Sequence, residues 1–333
     1  MKAEPPSTSA ARLLQADHAK GIAIALVVIC HVEQGLGRAG IAGVPAFWPA
    51  FEALCYTFMV PVFFVLSGHF LEASIRRRGL KGVAASLPGT LLYPYVVWTL
   101  LQAALMILTG AGNRHVAWVE VPGLLLRGWM QFWFLHALML IYALDLLLRG
   151  MRVGRFGRLA VALLLDGAAA MRPDWFGAPV RLACQHYLFL ALGALAPERC
   201  FEALPRRQAI ALAVAGFAGL YFLHAHRAAC SALLLPAATL AGVAGTLGLS
   251  SLLAAAPSLN GWSSLGRYSL EVYCAHVIFS AGTRVVLQRG LHVSLFWPHE
   301  VAGVAAGLLL PLGLARVARA RGWPLFRPPR RAP

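Results

Sequence analysis

Charge is what this chain has least of. Only 13% of its 333 residues are Asp, Glu, Lys or Arg, about half the share usual in a soluble domain. Acidic residues are the scarcer kind, 13 against 29 basic ones. No polar block is long enough to fold as a separate globular unit. No internal repeat suggests the duplicated halves of many transporters. The six cysteines, Cys30, Cys55, Cys184, Cys200, Cys230 and Cys274, show no Cys-x-x-Cys pairing and fall mostly in apolar stretches, which predicts neither a disulfide framework nor a metal site. A glycine-rich phosphate loop is also missing. What remains is apolar sequence, 59% of the chain, and the class it implies is an all-α, polytopic membrane protein.

Apolar runs at roughly 20–37, 48–75, 83–110, 128–148, 157–171, 181–197, 208–225, 229–254, 269–288 and 299–318 suggest about ten spans. Pro61 interrupts the second and predicts a kink there. Turns fall at Gly110-Ala111-Gly112-Asn113, at 173–179 and at Trp297-Pro298, and the segment 111–127, with Trp118 and Pro122, reads as partly interfacial. A net charge of +16 in a soluble chain would suggest nucleic acid. Here the basic residues cluster between apolar runs, at Lys20, at Arg76, Arg77, Arg78 and Lys81, at Arg149 to Arg158, at Arg206 and Arg207, and from Arg316 onward. Such clustering is topological, and by the positive-inside rule both termini are cytoplasmic. The expected organisation is a cytoplasmic N-terminal tail over 1–19, a membrane domain over 20–318 and a basic, Pro-rich cytoplasmic tail over 319–333. The tail from Arg327 is expected to stay disordered against anionic lipid. The first apolar run resembles a signal-peptide core in length, but Asp17 and Lys20 at its entry and His31 and Glu33 within it fit a retained helix better.

Lys20 and His31 are eleven residues apart. At about 100° and 1.5 Å per residue they share one helix face, some 16 Å apart along the axis. With Lys20 at the membrane surface, His31 lies about halfway through the hydrocarbon, where an imidazole needs a partner or a function. Asp17 and Lys20, at i and i+3, can pair at the helix entrance. Read without further information, this is an interfacial ion pair and a histidine bonded to a neighbouring helix. Glu33 is about 200° from His31 around the helix, so the partner of His31 comes from another element.

The run Asp17-x-x-Lys20-Gly21-Ile22-x-Ile24-x-x-Val27-Val28 followed by His31 resembles the first helix of the acyltransferase-3 family, integral membrane enzymes that O-acylate sugars and other hydroxyl-bearing acceptors. The Lys-Gly form is similar to the fucose 4-O-acetylase-like branch. The resemblance continues in order through Phe63-Phe64-Val65-Leu66-Ser67-Gly68, Pro94-Tyr95-Val96-Val97-Trp98, Trp133-Phe134-Leu135, Tyr187 to Gly193, and Leu265-Gly266-Arg267-Tyr268-Ser269-Leu270-Glu271-Val272-Tyr273-Cys274-Ala275-His276. Two positions depart from the pattern. His69 follows Ser67-Gly68 and either enters the site or faces a loop, and no basic residue precedes Pro94-Tyr95.

The resemblance implies a membrane O-acyltransferase in which an acyl group, acetyl from acetyl-CoA, passes to a hydroxyl of a sugar in a glycan or glycolipid at the outer face. It assigns catalysis to His31, with Lys20 and Asp17, and substrate or donor binding to Ser67, Trp133, Tyr273 and His276. Ser269, Tyr273 and His276 lie within about 40° of one helical face; helix capping and inter-helix bonding remain the plainer roles for Ser269 and His276. Phe63, Phe64, Trp98 and Trp133 read first as packing anchors. Arg76, Arg77 and Arg78 serve either topology or the phosphates of a cytoplasmic acyl-CoA. The expected partners are the lipid bilayer, acyl-CoA as donor substrate with no bound cofactor, and the acceptor glycan, without nucleic acid. The expected location is the bacterial inner membrane. A non-enzymatic membrane carrier or exporter of glycan or lipid is the alternative, and it calls for repeat symmetry that the sequence does not display.

Overall fold

Apolar sequence in a bilayer must satisfy its backbone internally, and helices do so within one segment. The computed structural model describes residues 8–110, 116–226, 231–259 and 261–329. Residues 1–7 of the N-terminal tail, Ala111-Gly112-Asn113 of an expected turn, Cys230, and Arg330 to Pro333 lie outside it. The described residues form α1 (Thr8–Arg38), α2 (Trp48–Leu87), α3 (Tyr93–Thr109), a short α4 (Val121–Arg127), α5 (Trp133–Gly150), α6 (Arg155–Met171), α7 (Ala178–Leu195), α8 (Arg206–Ala225), α9 (Ser231–Ala254), a short α10 (Trp262–Arg267), α11 (Ser269–Val285) and α12 (Phe296–Arg321). Proline sits in the first turn of α2, α3 and α7, where its missing N–H costs nothing. Left-handed Gly110 and Gly322 close α3 and α12. No strand occurs among the described residues; a single bridge joins Ala42 to Leu295.

Seven stretches among the described residues are long and apolar enough to cross a membrane. One of them, Trp48–Thr109, holds α2, a π-turn over Pro88–Leu92 and α3 in a continuous run. The break in α2 falls at Gly79, where φ is 70° and ψ 171°, whereas Pro61 stays helical. The stretch expected from residue 83 lies beyond that break, where helix runs on through the π-turn to Thr109. α6 and α7 are outside the seven stretches, being short and interrupted by Arg155, Arg158, Asp166 and Arg181.

α1 is the central element, packed on α2, α9, α10, α11 and α12. Without a hydrophobic drive between helices in lipid, close backbone approach supplies the packing energy. Two sequence signatures provide it for each other. A Cβ on Gly68 of α2 would lie 2.0 Å from the Leu190 carbonyl oxygen of α7, and one on Gly193 of α7 would lie 2.0 Å from that of Val65. Gly266 does the same for α10 against the Asp17 carbonyl of α1, at 1.7 Å.

At the Lys20 end of the bundle, buried Asp145 of α5 accepts from Arg149 Nε at 2.6 Å and from the Tyr187 hydroxyl at 3.0 Å, and pairs with Arg158 at 3.2 Å. Arg149 also reaches Glu72 at 2.8 Å. Asp145 thereby ties α5, α6 and α7, and Arg149 carries the network on to α2 through Glu72. The boundary drawn at 318/319 falls inside α12, where Arg319 pairs with Glu271 of α11 at 2.6 Å. Beyond α12 the chain docks on α3. Trp98 Nε1 donates to the Leu325 carbonyl at 2.9 Å, the Tyr93 hydroxyl donates to that of Pro324 at 2.7 Å, and Phe326 stacks on Trp98.

Candidate active site

Helices α1, α2, α5 and α11 surround a cavity of about 200 Å³ with a largely apolar wall. Lys20 and His31 both line it, as their shared face requires, so it extends along α1 for about 16 Å. Ser67 and Ser269 lie in the same wall, as do Phe63, Trp133 and Tyr273. A wider depression of about 460 Å³ between α4 and the turn at Gly128 to Met130 holds only Glu120 and Arg127 as charged groups. The reactive residue types are in the narrower one.

The partner of His31 is His276, 245 residues away on α11. Their rings meet edge to edge with planes 15° apart, and His31 Nδ1 is 2.9 Å from His276 Nε2. The neighbours decide the tautomers. His276 Nδ1 faces two carbonyl oxygens, Val272 at 3.0 Å and Tyr273 at 2.8 Å. Carbonyls only accept, so this nitrogen carries the proton. In the neutral ring Nε2 is then the acceptor, and His31 Nδ1–H donates to it. His31 Nε2 keeps its lone pair, with no protein partner among the described residues, on a side chain that lines the cavity. A base at that atom can take a proton from a hydroxyl entering the cavity.

At the other end Lys20 Nζ is 2.7 Å from Asp17 Oδ1, both partly buried, and 5.8 Å above the Phe70 ring. Asp17 itself does not line the cavity. Tyr273 spends its hydroxyl on the Gln131 carbonyl. Gln131 and Gln102 exchange side-chain hydrogen bonds, the shorter 2.7 Å. Arg76, Arg77 and Arg78 are exposed at the far end of α2, outside the cavity wall, and Arg76 pairs with Glu198 at 2.8 Å. His69 turns away, its ring centroid 4.0 Å from that of Phe201 in the loop after α7. No group of three His, Cys, Asp or Glu side chains among the described residues could hold a metal ion.

Tyr56 was not singled out by its sequence context, yet it lines the cavity beside His31. Its register was legible. Tyr56, Val60, Phe63 and Ser67 follow one another at spacings of four, three and four, one face of a helix, and all four belong to the wall. Gln34 lies one turn beyond His31 on α1, and its Nε2 contacts Glu52 at 2.5 Å and the Tyr56 hydroxyl at 3.0 Å.

Nodulation protein NolL of Mesorhizobium japonicum (strain LMG 29417 / CECT 9101 / MAFF 303099) is 28% identical to this chain over 174 residues, 50% of this chain and 42% of NolL. The chain thus spans under half the length of that curated relative. No solved structure matches it. Residues 13–316 match the family model of the acyltransferase-3 type, described as an acyltransferase domain. That match runs from the turn of α1 before Asp17 to the last turns of α12 and takes in every element around the cavity, so the chain belongs to the acyltransferase-3 family.

Proposed function

We propose that this chain is a multi-pass O-acyltransferase of the bacterial inner membrane that moves an acetyl group from acetyl-CoA to a hydroxyl of a sugar in a glycan or glycolipid at the outer face. The observation that carries the reading is the histidine pair. It leaves His31 Nε2 unprotonated at one end of a cavity whose other end is Lys20. An alcohol is a weak nucleophile at neutral pH, and a neutral imidazole in an apolar site can remove its proton as it attacks the thioester. His276 orients His31. Lys20, fixed by Asp17, faces the cytoplasm and attracts the donor phosphates, and Arg76, Arg77 and Arg78 add a basic landing surface on the same side. Ser67, Trp133 and Tyr273 supply the wall between the donor and the acceptor ends. Ten spans with both termini inside give this orientation, with the membrane domain over 20–318 and the basic segment from 319 on the cytoplasmic surface.

The test is chemical. Glycans of a strain lacking the protein should lose O-acetyl groups, wild type should restore them, and His31→Ala at equal membrane level should not. Full restoration by His31→Ala would remove His31 as the base.

A further inference from the structure

Attack on a thioester places negative charge on the carbonyl oxygen, and the proposed base does nothing for that charge. A second group must donate to it. Beside His31 the hydrogen-bond bookkeeping isolates one. Glu52 is an acceptor only, so the amide nitrogen of Gln34 faces it, and that same nitrogen reaches Tyr56. Both Gln34 N–H groups are thereby spent, one on Glu52 Oε1 and one on the Tyr56 oxygen. Tyr56 accepts from the amide, and among the described residues its own hydrogen has no acceptor. A hydroxyl that already accepts a hydrogen bond is a stronger donor, and the second bond of the amide, to Glu52, fixes Gln34 in the position from which it donates. The Trp133 indole, in the same wall, has no such chain behind it. Gln34 is one turn, about 5 Å, beyond His31 on α1. The Tyr56 hydroxyl held against it belongs to the same cavity wall as His31.

Resting on the reading above, we propose that Tyr56 is a catalytic residue, the oxyanion donor of the acyl transfer, oriented by the Gln34 amide that Glu52 holds in place. The acceptor oxygen bonds to the thioester carbon as its proton passes to His31 Nε2. The carbonyl π pair moves onto oxygen, which accepts from the Tyr56 O–H. Collapse restores the carbonyl, breaks the C–S bond with its pair going to sulfur, and returns the proton from His31 to the thiolate. The products are the ester and free CoA thiol, with no oxidant or further reactant needed.

The experiment uses the full chain in lipid nanodiscs, acetyl-CoA as donor and water as the smallest hydroxyl acceptor, with release of CoA thiol as the readout. Wild type should release thiol faster than His31→Ala. Tyr56→Phe should lower kcat by about 10²–10³-fold with KM for acetyl-CoA and the thermal midpoint unchanged. A merely structural tyrosine would move the midpoint or KM instead, and that result overturns the proposal. A Tyr56→Phe protein as fast as wild type overturns it too, while leaving the His31 reading in place. Installing 3-fluorotyrosine at position 56, a more acidic donor, should keep the wild-type rate or exceed it; a fall to the Phe level counts against donation. No release above His31→Ala by the wild type would refute the acyltransfer reading and this proposal with it.

Discussion

Replacing His276 by Leu separates an orienting histidine from a reacting one. The substitution removes the only acceptor for His31 Nδ1–H among the described residues and leaves a buried N–H unpaired, a cost of about 1–3 kcal/mol. The ring can avoid that cost by changing tautomer or rotating, and either motion withdraws the lone pair from the acceptor. At 1.36 kcal/mol per decade the loss in kcat is about 5- to 160-fold. Donor KM should not change, since His276 stands behind His31 rather than in the cavity wall. His276→Gln offers an amide oxygen from a side chain of similar length and should recover part of the rate. The assay is thiol release from acetyl-CoA by protein in nanodiscs, with membrane level and thermal midpoint measured beside it. Wild-type kcat in His276→Leu would refute the tautomer argument. Loss as complete as in His31→Ala, with the fold intact, would refute a purely orienting role.

Gly193→Ala puts a methyl 2.0 Å from the Val65 carbonyl oxygen, so α2 and α7 must part; the expected cost is about 1–3 kcal/mol, read as a lower thermal midpoint, whereas Gly35→Ala, with nothing within 4 Å of its Cβ, should be neutral. Asp145→Ala leaves Arg149 and Arg158 without their shared buried carboxylate and should destabilise the bundle by about 3–5 kcal/mol, measured by thermal denaturation in detergent. Changing Arg76, Arg77 and Arg78 together to Gln should raise KM for acetyl-CoA tenfold or more at about 1 kcal/mol per charge near the surface, with Lys replacements intermediate; unaltered donor kinetics in correctly inserted protein would leave the run as a topology signal. A reporter fused after Pro333 should be active only on the cytoplasmic side, and activity outside would invert the proposed orientation.

The helical class was readable because a bilayer leaves a chain so poor in charge few alternatives, and the shared face of Lys20 and His31 followed from helix geometry alone. The partner of His31 was not readable. His276 stands 245 residues away, and its alignment depends on how α11 is seated against α1, which no local periodicity encodes. The glycines of the signatures carry that information only in three dimensions. Gly266 looks like punctuation in the sequence and acts as the contact that brings α10, and with it the start of α11, against Asp17. The break at Gly79 carries no mark of its own in the sequence either. Pro61 has neighbouring helices to accommodate the lost hydrogen bond, as a membrane proline commonly does, while Gly79, with positive φ, permits a turn of backbone that a residue with a Cβ resists.

The arrangement of polar groups follows from the same solvent argument. In hydrocarbon an unpaired donor or acceptor is costly, so the pairings around the cavity show which atoms are committed. Lys20 pairs with Asp17, and Tyr273 is spent on the Gln131 carbonyl, the Gln131 and Gln102 amides on each other, and the Gln34 amide on Glu52 and Tyr56. His276 is saturated by two carbonyls and His31. The lone pair on His31 and the hydrogen on Tyr56 are an acceptor and a donor in the wall of the same cavity. Acyl transfer to a hydroxyl requires that combination, a site for the proton that leaves and a donor for the charge that develops.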